Sequence, residues 1–95
     1  MSKPTIKDLK ITNSQWKKKG DYVYIDGVVK NVSKNRTINY FEVEANFYDE
    51  YGDVIDSDWT NDGDELAPGE SRPFDMMHKY NYKTENIRLS VREVS

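Results

Sequence analysis

The residues best suited to chemistry lie in one acidic run. Residues 49–65 read DEYGDVIDSDWTNDGDE and contain no lysine or arginine. Carboxylate oxygens are hard donors, and Ca²⁺ takes about six to eight of them. The spacing is not that of an EF-hand, because the twelfth position counted from Asp58 is Gly69 and not a bidentate glutamate. The candidate ligands are Asp49, Asp53, Asp56, Asp58, Asp62, Asp64 and Glu65.

Two interpretations of this run remain open. In the first, residues 49–65 make the domain a calcium-binding β-sandwich module. In the second, the acids belong to turns and strand edges, where Asp, Asn and Gly are preferred and where charge discourages pairing between sheets. We favour the second interpretation, so we assign no metal ligand, no cofactor-binding residue and no cofactor. Asp56 and Asp58 share a parity, and we expect them to point from one face of a strand.

The chain offers little else for catalysis. It has no cysteine, which excludes thiolate chemistry and any cysteine-ligated metal. Its single histidine, His78, lies in DMMHKYNY. No nucleophile elbow, glycine-rich phosphate loop or H-E-x-x-H pair accompanies it. We predict that the protein is not an enzyme, that it has no catalytic residues, and that His78 is an ordinary strand or loop histidine.

The tyrosines raise a different binding hypothesis. Only 36% of the chain is hydrophobic, so seven tyrosines cannot all fit into a thin core. Tyrosine is enriched at recognition surfaces because it adds contact area at little entropic cost, although it is also simply a good strand former. An aromatic binding face for a protein or a glycan would draw on Tyr22, Tyr24, Tyr40, Tyr48, Tyr51, Tyr80 and Tyr82.

The charge distribution argues against nucleic acid as a partner. The net charge is −3 and the isoelectric point is near 5.1, whereas phosphate binding needs a basic face. Residues 1–36 hold nine Lys or Arg against three acids, while residues 49–70 hold nine acids and no base, which predicts a dipolar domain. We interpret Lys17, Lys18 and Lys19 as a solvated hairpin tip.

Alternating hydrophobicity places these residues on strands. In YFEVEANFYD every second residue from Phe41 to Phe47 is apolar, and NIRLSVREV alternates in the same way. YVYIDGVVKN is a further strand, in which Gly27 indicates a bulge or a close backbone approach. Glycine turns follow in DEYGD and LAPGE.

About seven such strands in 95 residues predict an all-β fold, an immunoglobulin-like antiparallel β-sandwich, forming one domain over residues 1–95. We expect the carboxylates to lie outside in water.

The order of three motifs resembles the FxLYD family of small β-sandwich domains. The motifs are GxVxN at Gly27, Val29 and Asn31, FYDxxG at Phe47 to Gly52, and LAPGE at Leu66 to Glu70. The resemblance covers roughly residues 22–94. In the motif that names the family, Phe-x-Leu-Tyr-Asp, Ala45 stands at the first Phe and Phe47 at the Leu, so the match supports the fold more than the details of packing.

The resemblance implies location and not mechanism. FxLYD domains occur mostly in bacterial and archaeal proteins of the cell envelope or the exterior, and the family has no catalytic residues to carry over. We therefore expect a non-catalytic module of a secreted or cell-envelope prokaryotic protein, serving as a spacer, adhesion or protein-interaction domain. Its partner would be a protein or a cell-surface component. No apolar run approaches about 20 residues, so we expect no membrane insertion by this segment. Because the implied location lies outside the cytoplasm, we expect an export signal elsewhere in the parent chain.

Overall fold

A computed structural model describes residues 3–95, which form two three-stranded antiparallel sheets. The strands are β1 (Leu9–Lys19), β2 (Tyr22–Asn31), β3 (Phe41–Tyr48), β4 (Val54–Asp62), β5 (Ser71–Lys79) and β6 (Asn86–Val94), preceded by a 3₁₀ turn at Ile6–Asp8. The first sheet has the strand order β1-β2-β5 and the second β4-β3-β6. The predicted antiparallel β-sandwich is confirmed. Of the domain predicted over residues 1–95, residues 1 and 2 lie outside the described part.

The described residues form six strands where the sequence predicted about seven. In addition, Ile38 and Leu66 form an isolated antiparallel bridge, with N–H···O distances of 3.0 and 2.8 Å. This bridge does not lengthen into a strand pair because the chain turns just after Leu66, where Pro68 has no amide hydrogen to donate. Nowhere in residues 3–95 is there a helix long and apolar enough to cross a membrane.

The two sheets leave two open sides. In the stack β1 lies beside β6, and β4 lies beside β5, while β2 and β3 are central in their sheets. Each side is therefore bordered by one edge strand from each sheet. No backbone ladder joins the sheets there, so side chains must hold the two edges together.

The core follows the predicted parity. The four apolar residues of β3 from Phe41 to Phe47 are only 0–1% exposed. The facing sheet contributes Val23, Ile25, Val29 and Phe74. Burying a phenylalanine side chain in this way stabilises the fold by roughly 1.5–3 kcal/mol. Because most of the core comes from alternate positions of β2, β3 and β6, a shift of one residue in any of these strands would expose it.

Gly27 marks a close backbone approach, as predicted. A Cβ at this position would lie 2.3 Å from the carbonyl oxygen of Asn13 and 2.7 Å from the ring of Phe74. The pairing of β1 with β2 also shifts register between Ile11 and Asn13. Only glycine therefore lets the bulged strand and the Phe74 ring approach β2 together.

Asn31 connects the loops at the end where both termini lie. Its side chain is fully buried, and its amide nitrogen donates to the carbonyl oxygens of Arg36 (2.8 Å) and Leu66 (2.9 Å). Its amide oxygen accepts from the backbone N–H and the hydroxyl of Ser33. A side chain that satisfies this many groups fixes the loops after β2 and before β5, which accounts for the asparagine of the GxVxN motif in physical terms.

The expectation that carboxylates lie outside in water is wrong for two of them. Asp8 and Glu42 are only 5% and 7% exposed. Both oxygens of Asp8 accept from the Arg36 guanidinium at 2.8 Å, and one also accepts from the backbone N–H of Thr5. These bonds, above all those from Arg36, lower the pKa of Asp8 to about 2. The carboxylate is tolerated because it is paired and hydrogen-bonded.

Candidate functional site

Three turns meet at one end of the sandwich, which we call the turn end. It consists of residues 20–21, 49–53 and 80–85. The amide of Tyr80 donates to the carbonyl oxygen of Asp21 at 2.8 Å, and the amide of Glu85 donates to that of Tyr48 at 2.8 Å. These bonds join the three connections into one surface. Loops gathered at one end of a sandwich form the binding surface of immunoglobulin variable domains.

Four of the seven tyrosines lie at or beside the turn end: Tyr22, Tyr51, Tyr80 and Tyr82. Tyr51 and Tyr82 are each 80% exposed, the highest values among the large hydrophobic side chains of residues 3–95. Together they border a cleft of about 410 Å³, whose remaining walls are Asp49, Glu50, Lys83 and Glu85. A volume of this size falls in the range of about 300–1,000 Å³ found for small ligand sites.

Local sequence holds both exposed tyrosines on ordered turns. The Asp49 carboxylate accepts from the backbone N–H groups of Tyr51 (2.9 Å) and Asp53 (3.0 Å), and Gly52 takes a φ of 83° that completes the turn. The Asn81 side chain accepts from the N–H of Lys83 at 3.0 Å. Backbone order of this kind reduces the entropy lost when a ligand binds.

Two lysines, one near the end of β1 and one in the turn end, lie over tyrosine rings. The ammonium nitrogen of Lys18 is 5.0 Å from the ring centroid of Tyr80, and that of Lys83 is 5.9 Å from the ring centroid of Tyr82. Both distances fall within the about 6 Å at which a cation is attracted to an aromatic face. The half-buried ring of Tyr80 and the exposed ring of Tyr82 therefore each already have a lysine of the same chain over one face.

The structure does not gather all the tyrosines into one aromatic face. Tyr24 lies on the outer face of the first sheet, where it pairs across the strands with Lys17 and Met77. Tyr48 belongs to the outer face of the second sheet, and Tyr40, which directly precedes β3, reaches the same face, where its hydroxyl accepts from Asn61. On that face Tyr40 donates to the buried Glu42, which also accepts from Arg92. These outer tyrosines are tied into contacts of the sheet surface, unlike Tyr51, which extends into solvent.

The acidic run divides among three places. Asp49 and Asp53 belong to the turn end, while Asp56 and Asp58 lie on β4. Asp62 accepts from Arg72 at 3.2 Å and from the N–H of Asp64, at the opposite end of β4. Within residues 3–95 no three acidic or histidine side chains are arranged so that they could hold one metal ion together.

His78 joins the two sheets on the β4/β5 side. Its Nε2 lies 2.6 Å from an oxygen of Asp56 and its Nδ1 lies 2.9 Å from an oxygen of Asp58. Asp56 and Asp58 stand opposite Phe47 and Ala45 of β3, so they occupy inward positions of an edge strand. Asp56 and Asp58 do share one face, as predicted, but they point toward the other sheet and not into bulk water. We call these three residues the His78 cluster.

The electrostatics of this cluster favour the imidazolium. Burial by itself would lower the pKa of His78, but the hydrogen bonds and negative charges of Asp56 and Asp58 outweigh it, and the pKa is raised. A protonated ring can donate from both nitrogens at once, whereas a neutral ring would turn a lone pair toward one carboxylate. His78 lies on a strand, as predicted, but as an inter-sheet link.

The geometry of the cluster differs from that of a catalytic triad. A triad histidine turns one nitrogen toward a hydroxyl and the other toward a carboxylate. Here both nitrogens face carboxylates, and the ring packs against Phe47 with 4.8 Å between the ring centroids. The arrangement links the strands electrostatically. In the sequence, the shared parity of the two aspartates together with the single histidine is the pattern that could have indicated this cluster.

The fold and the turn end define a small all-β module with a tyrosine-lined end. Over 90% of its length the chain is similar in structure to a DUF1425 family member from Shewanella sp. pv-4, with a TM-score of 0.63, 14% sequence identity and 77% of that chain covered. At this identity the similarity shows the fold alone. No family model matches the sequence, and no curated protein matches it.

Proposed function

We propose that this chain is a non-catalytic, immunoglobulin-like module of the FxLYD type. Its parent would be a secreted or cell-envelope prokaryotic protein in which it serves as a spacer, adhesion or protein-interaction domain. The ordered motifs GxVxN, FYDxxG and LAPGE support the family, and two of their key residues, Gly27 and Asn31, have the structural roles described above. The turn end is the surface through which the module binds its partner.

The observation that carries this proposal is the position of Tyr51 and Tyr82 relative to the termini. β1 runs from the end at which the chain enters toward the turn end, and β6 runs from the turn end back to Val94. Ser95 is held there by its N–H bond to the carbonyl oxygen of Tyr40. A chain continuing from either terminus would leave from the far end of a body 46 Å long, so the two tyrosines face away from the attachment.

The exposure of these rings supports a binding role. Tyrosine side chains 80% in water contribute little to the core, yet both are supported by ordered turns. Tyrosine and arginine are enriched among the residues that dominate interfaces. The elongated shape of the domain also fits a spacer that holds one end away from its point of attachment.

The experiment is a binding assay with isolated cell envelopes of the source organism. Fluorescently labelled wild-type domain should bind saturably, and the double variant Tyr51→Ser/Tyr82→Ser should lose at least about tenfold in affinity, because hot-spot residues often contribute 1–2 kcal/mol or more. Tyr24→Ser is the matched control, since Tyr24 is also exposed but lies on the outer face of a sheet. Equal binding by the double variant and the wild type would contradict the proposal.

A further inference from the structure

Resting on that proposed function, we propose that the cleft between Tyr51 and Tyr82 recognises a lysine- or arginine-bearing peptide segment of the partner. The cleft combines two aromatic walls with a rim of carboxylates, and both features favour a cation. The ligand is an exposed basic side chain presented on an extended segment, because a cleft of about 410 Å³ admits one or two side chains and not a folded domain.

The charges of the cleft provide the first argument. Three of its six lining residues, Asp49, Glu50 and Glu85, are acidic, and Lys83 is the one cation among them. The excess negative charge attracts a basic side chain over about a Debye length and repels an acidic one. Asp53, in the same turn as Asp49, adds to the same field.

The tyrosine rings provide the second argument, which is independent of the acids. Lys83 already lies 5.9 Å from the ring centroid of Tyr82, and Lys18 lies 5.0 Å from that of Tyr80. These contacts show that rings at the turn end have faces accessible to an ammonium group. Lys83 is exposed and attached to the cleft itself, so it acts as an internal competitor for the position that the partner's cation would take.

Area and charge favour a basic side chain over the other occupants. A second copy docking end to end would use a face of about 23 by 18 Å, which offers roughly 400 Å² per partner, about half of what a stable interface buries. An uncharged glycan could stack on the rings but would gain nothing from the excess charge. An anionic glycan would be repelled.

The test is an NMR titration of the ¹⁵N-labelled domain with three probes. The first is a capped hexapeptide alternating glycine and lysine, the second replaces lysine with glutamate, and the third is an uncharged chito-oligosaccharide. We expect the lysine peptide alone to shift the amides of residues 49–53 and 80–85, with an affinity that falls as salt increases.

Two variants make the result specific to the cleft. Lys83→Ala removes the internal competitor and should strengthen lysine-peptide binding roughly two- to fivefold, whereas Lys34→Ala, the same charge change in the loop at the far end, should leave it unchanged. Glu85→Gln should weaken it by a similar factor. Unchanged affinity in Lys83→Ala, or shifts spread along β4 instead of the cleft, would overturn the proposal.

The remaining outcomes are also decisive. Amide shifts caused only by the oligosaccharide would mean that the ligand is a glycan and not a basic peptide. A sedimentation coefficient that rises with protein concentration would mean that the ligand is a second copy of the domain. Either result overturns this inference, as does the absence of shifts with the lysine peptide. The envelope assay reports separately on the proposed function: if the Tyr51→Ser/Tyr82→Ser variant loses envelope binding while the lysine peptide does not bind, the turn end is the binding surface and only the ligand class is wrong.

Discussion

Removing the His78 cluster should make the stability of the domain less dependent on pH. His78 stands between Asp56 at 2.6 Å and Asp58 at 2.9 Å, and these side chains connect strands β4 and β5 that share no backbone ladder. The perturbation is His78→Gln, which keeps a polar side chain of similar length but cannot carry a charge. The comparison is the free energy of unfolding of the two proteins across a range of pH.

The exposure of the three side chains determines how much the cluster stabilises the fold. Hydrogen bonds to charged groups contribute about 1.5–3 kcal/mol each when well shielded. The side chain of His78 is 21% exposed and those of Asp56 and Asp58 are 39% and 33% exposed, so solvent screens part of this. We expect the cluster to contribute about 1–2 kcal/mol when His78 is protonated. In a domain of this size each 1 kcal/mol changes the melting temperature by about 4–8 °C.

The sign of the pH dependence follows from the direction of the pKa shift. The pKa of His78 is raised in the folded protein above its unfolded value of about 6.5. The folded state therefore binds the proton more tightly, and the stabilisation is complete below about pH 6. It is lost as the pH rises through the folded-state pKa. The wild type should exceed His78→Gln by about 1–2 kcal/mol at pH 5.5 and by clearly less at pH 9.

Urea denaturation followed by tryptophan fluorescence at half-unit steps from pH 5.5 to 9 measures this difference. His78 is the one histidine of the chain, so the difference between the two proteins isolates its titration from that of the terminal amine. Lys79→Gln, a neighbouring exposed substitution on β5, is the control and should preserve the wild-type profile. A constant difference between wild type and His78→Gln, or one that grows with pH, would refute the reasoning.

Three further predictions concern stability. The pKa of Asp8 is lowered to about 2, so the Asp8–Arg36 pair stabilises the fold above about pH 4 and its contribution is lost as the pH falls toward 2. Asp8→Asn should therefore reduce the fall in melting temperature between pH 4 and 2. An unchanged fall would contradict this prediction. Asn31→Ala removes the two hydrogen bonds that the amide donates to Arg36 and Leu66 and the two that it accepts from Ser33, which should cost about 2–4 kcal/mol in chemical denaturation. A cost below about 1 kcal/mol would show that water replaces the amide. Phe47→Ala should lower the free energy of unfolding by about 3–5 kcal/mol and Tyr48→Ala by much less, because the two neighbours point to opposite faces of β3. Equal losses of stability would mean that the inward and outward faces of β3 are assigned wrongly.

The fold was predictable wherever the information is local. The alternation in β3 and β6 identified the inward residues, and the turns at Gly52 and Gly69 followed from glycine's access to positive φ. The positions of Val43 and Leu89 confirm the predicted parity, since Val43 is fully buried and the half-buried Leu89 packs against both core clusters.

The contacts that the sequence did not reveal depend on which edge strands of the two sheets lie beside each other. The shared parity of Asp56 and Asp58 was visible, but their inward direction was not, because it depends on the bulge near Tyr48 and on β5 lying beside β4. The pairing of Asp8 with Arg36 joins residues far apart along the chain and is equally invisible to periodicity.

The turn end was hidden for the same reason. Tyr51 and Tyr82 lie in different connections, and only the closure of the two sheets brings those connections together. Composition predicted that some tyrosines must be exposed, but it could not distinguish those of the sheet faces from those of the turns.

The most direct test of the account is hydroxyl-radical footprinting of the domain bound to isolated cell envelopes, the target that the proposed function assigns to it. The central claim is that binding takes place at the end opposite the termini, so Tyr51 and Tyr82 should lose reactivity on binding. Tyr24 and Trp59, on the outer faces of the two sheets, should react as they do in the free domain. Protection of Tyr24 or Trp59 with Tyr51 and Tyr82 unchanged would contradict the account.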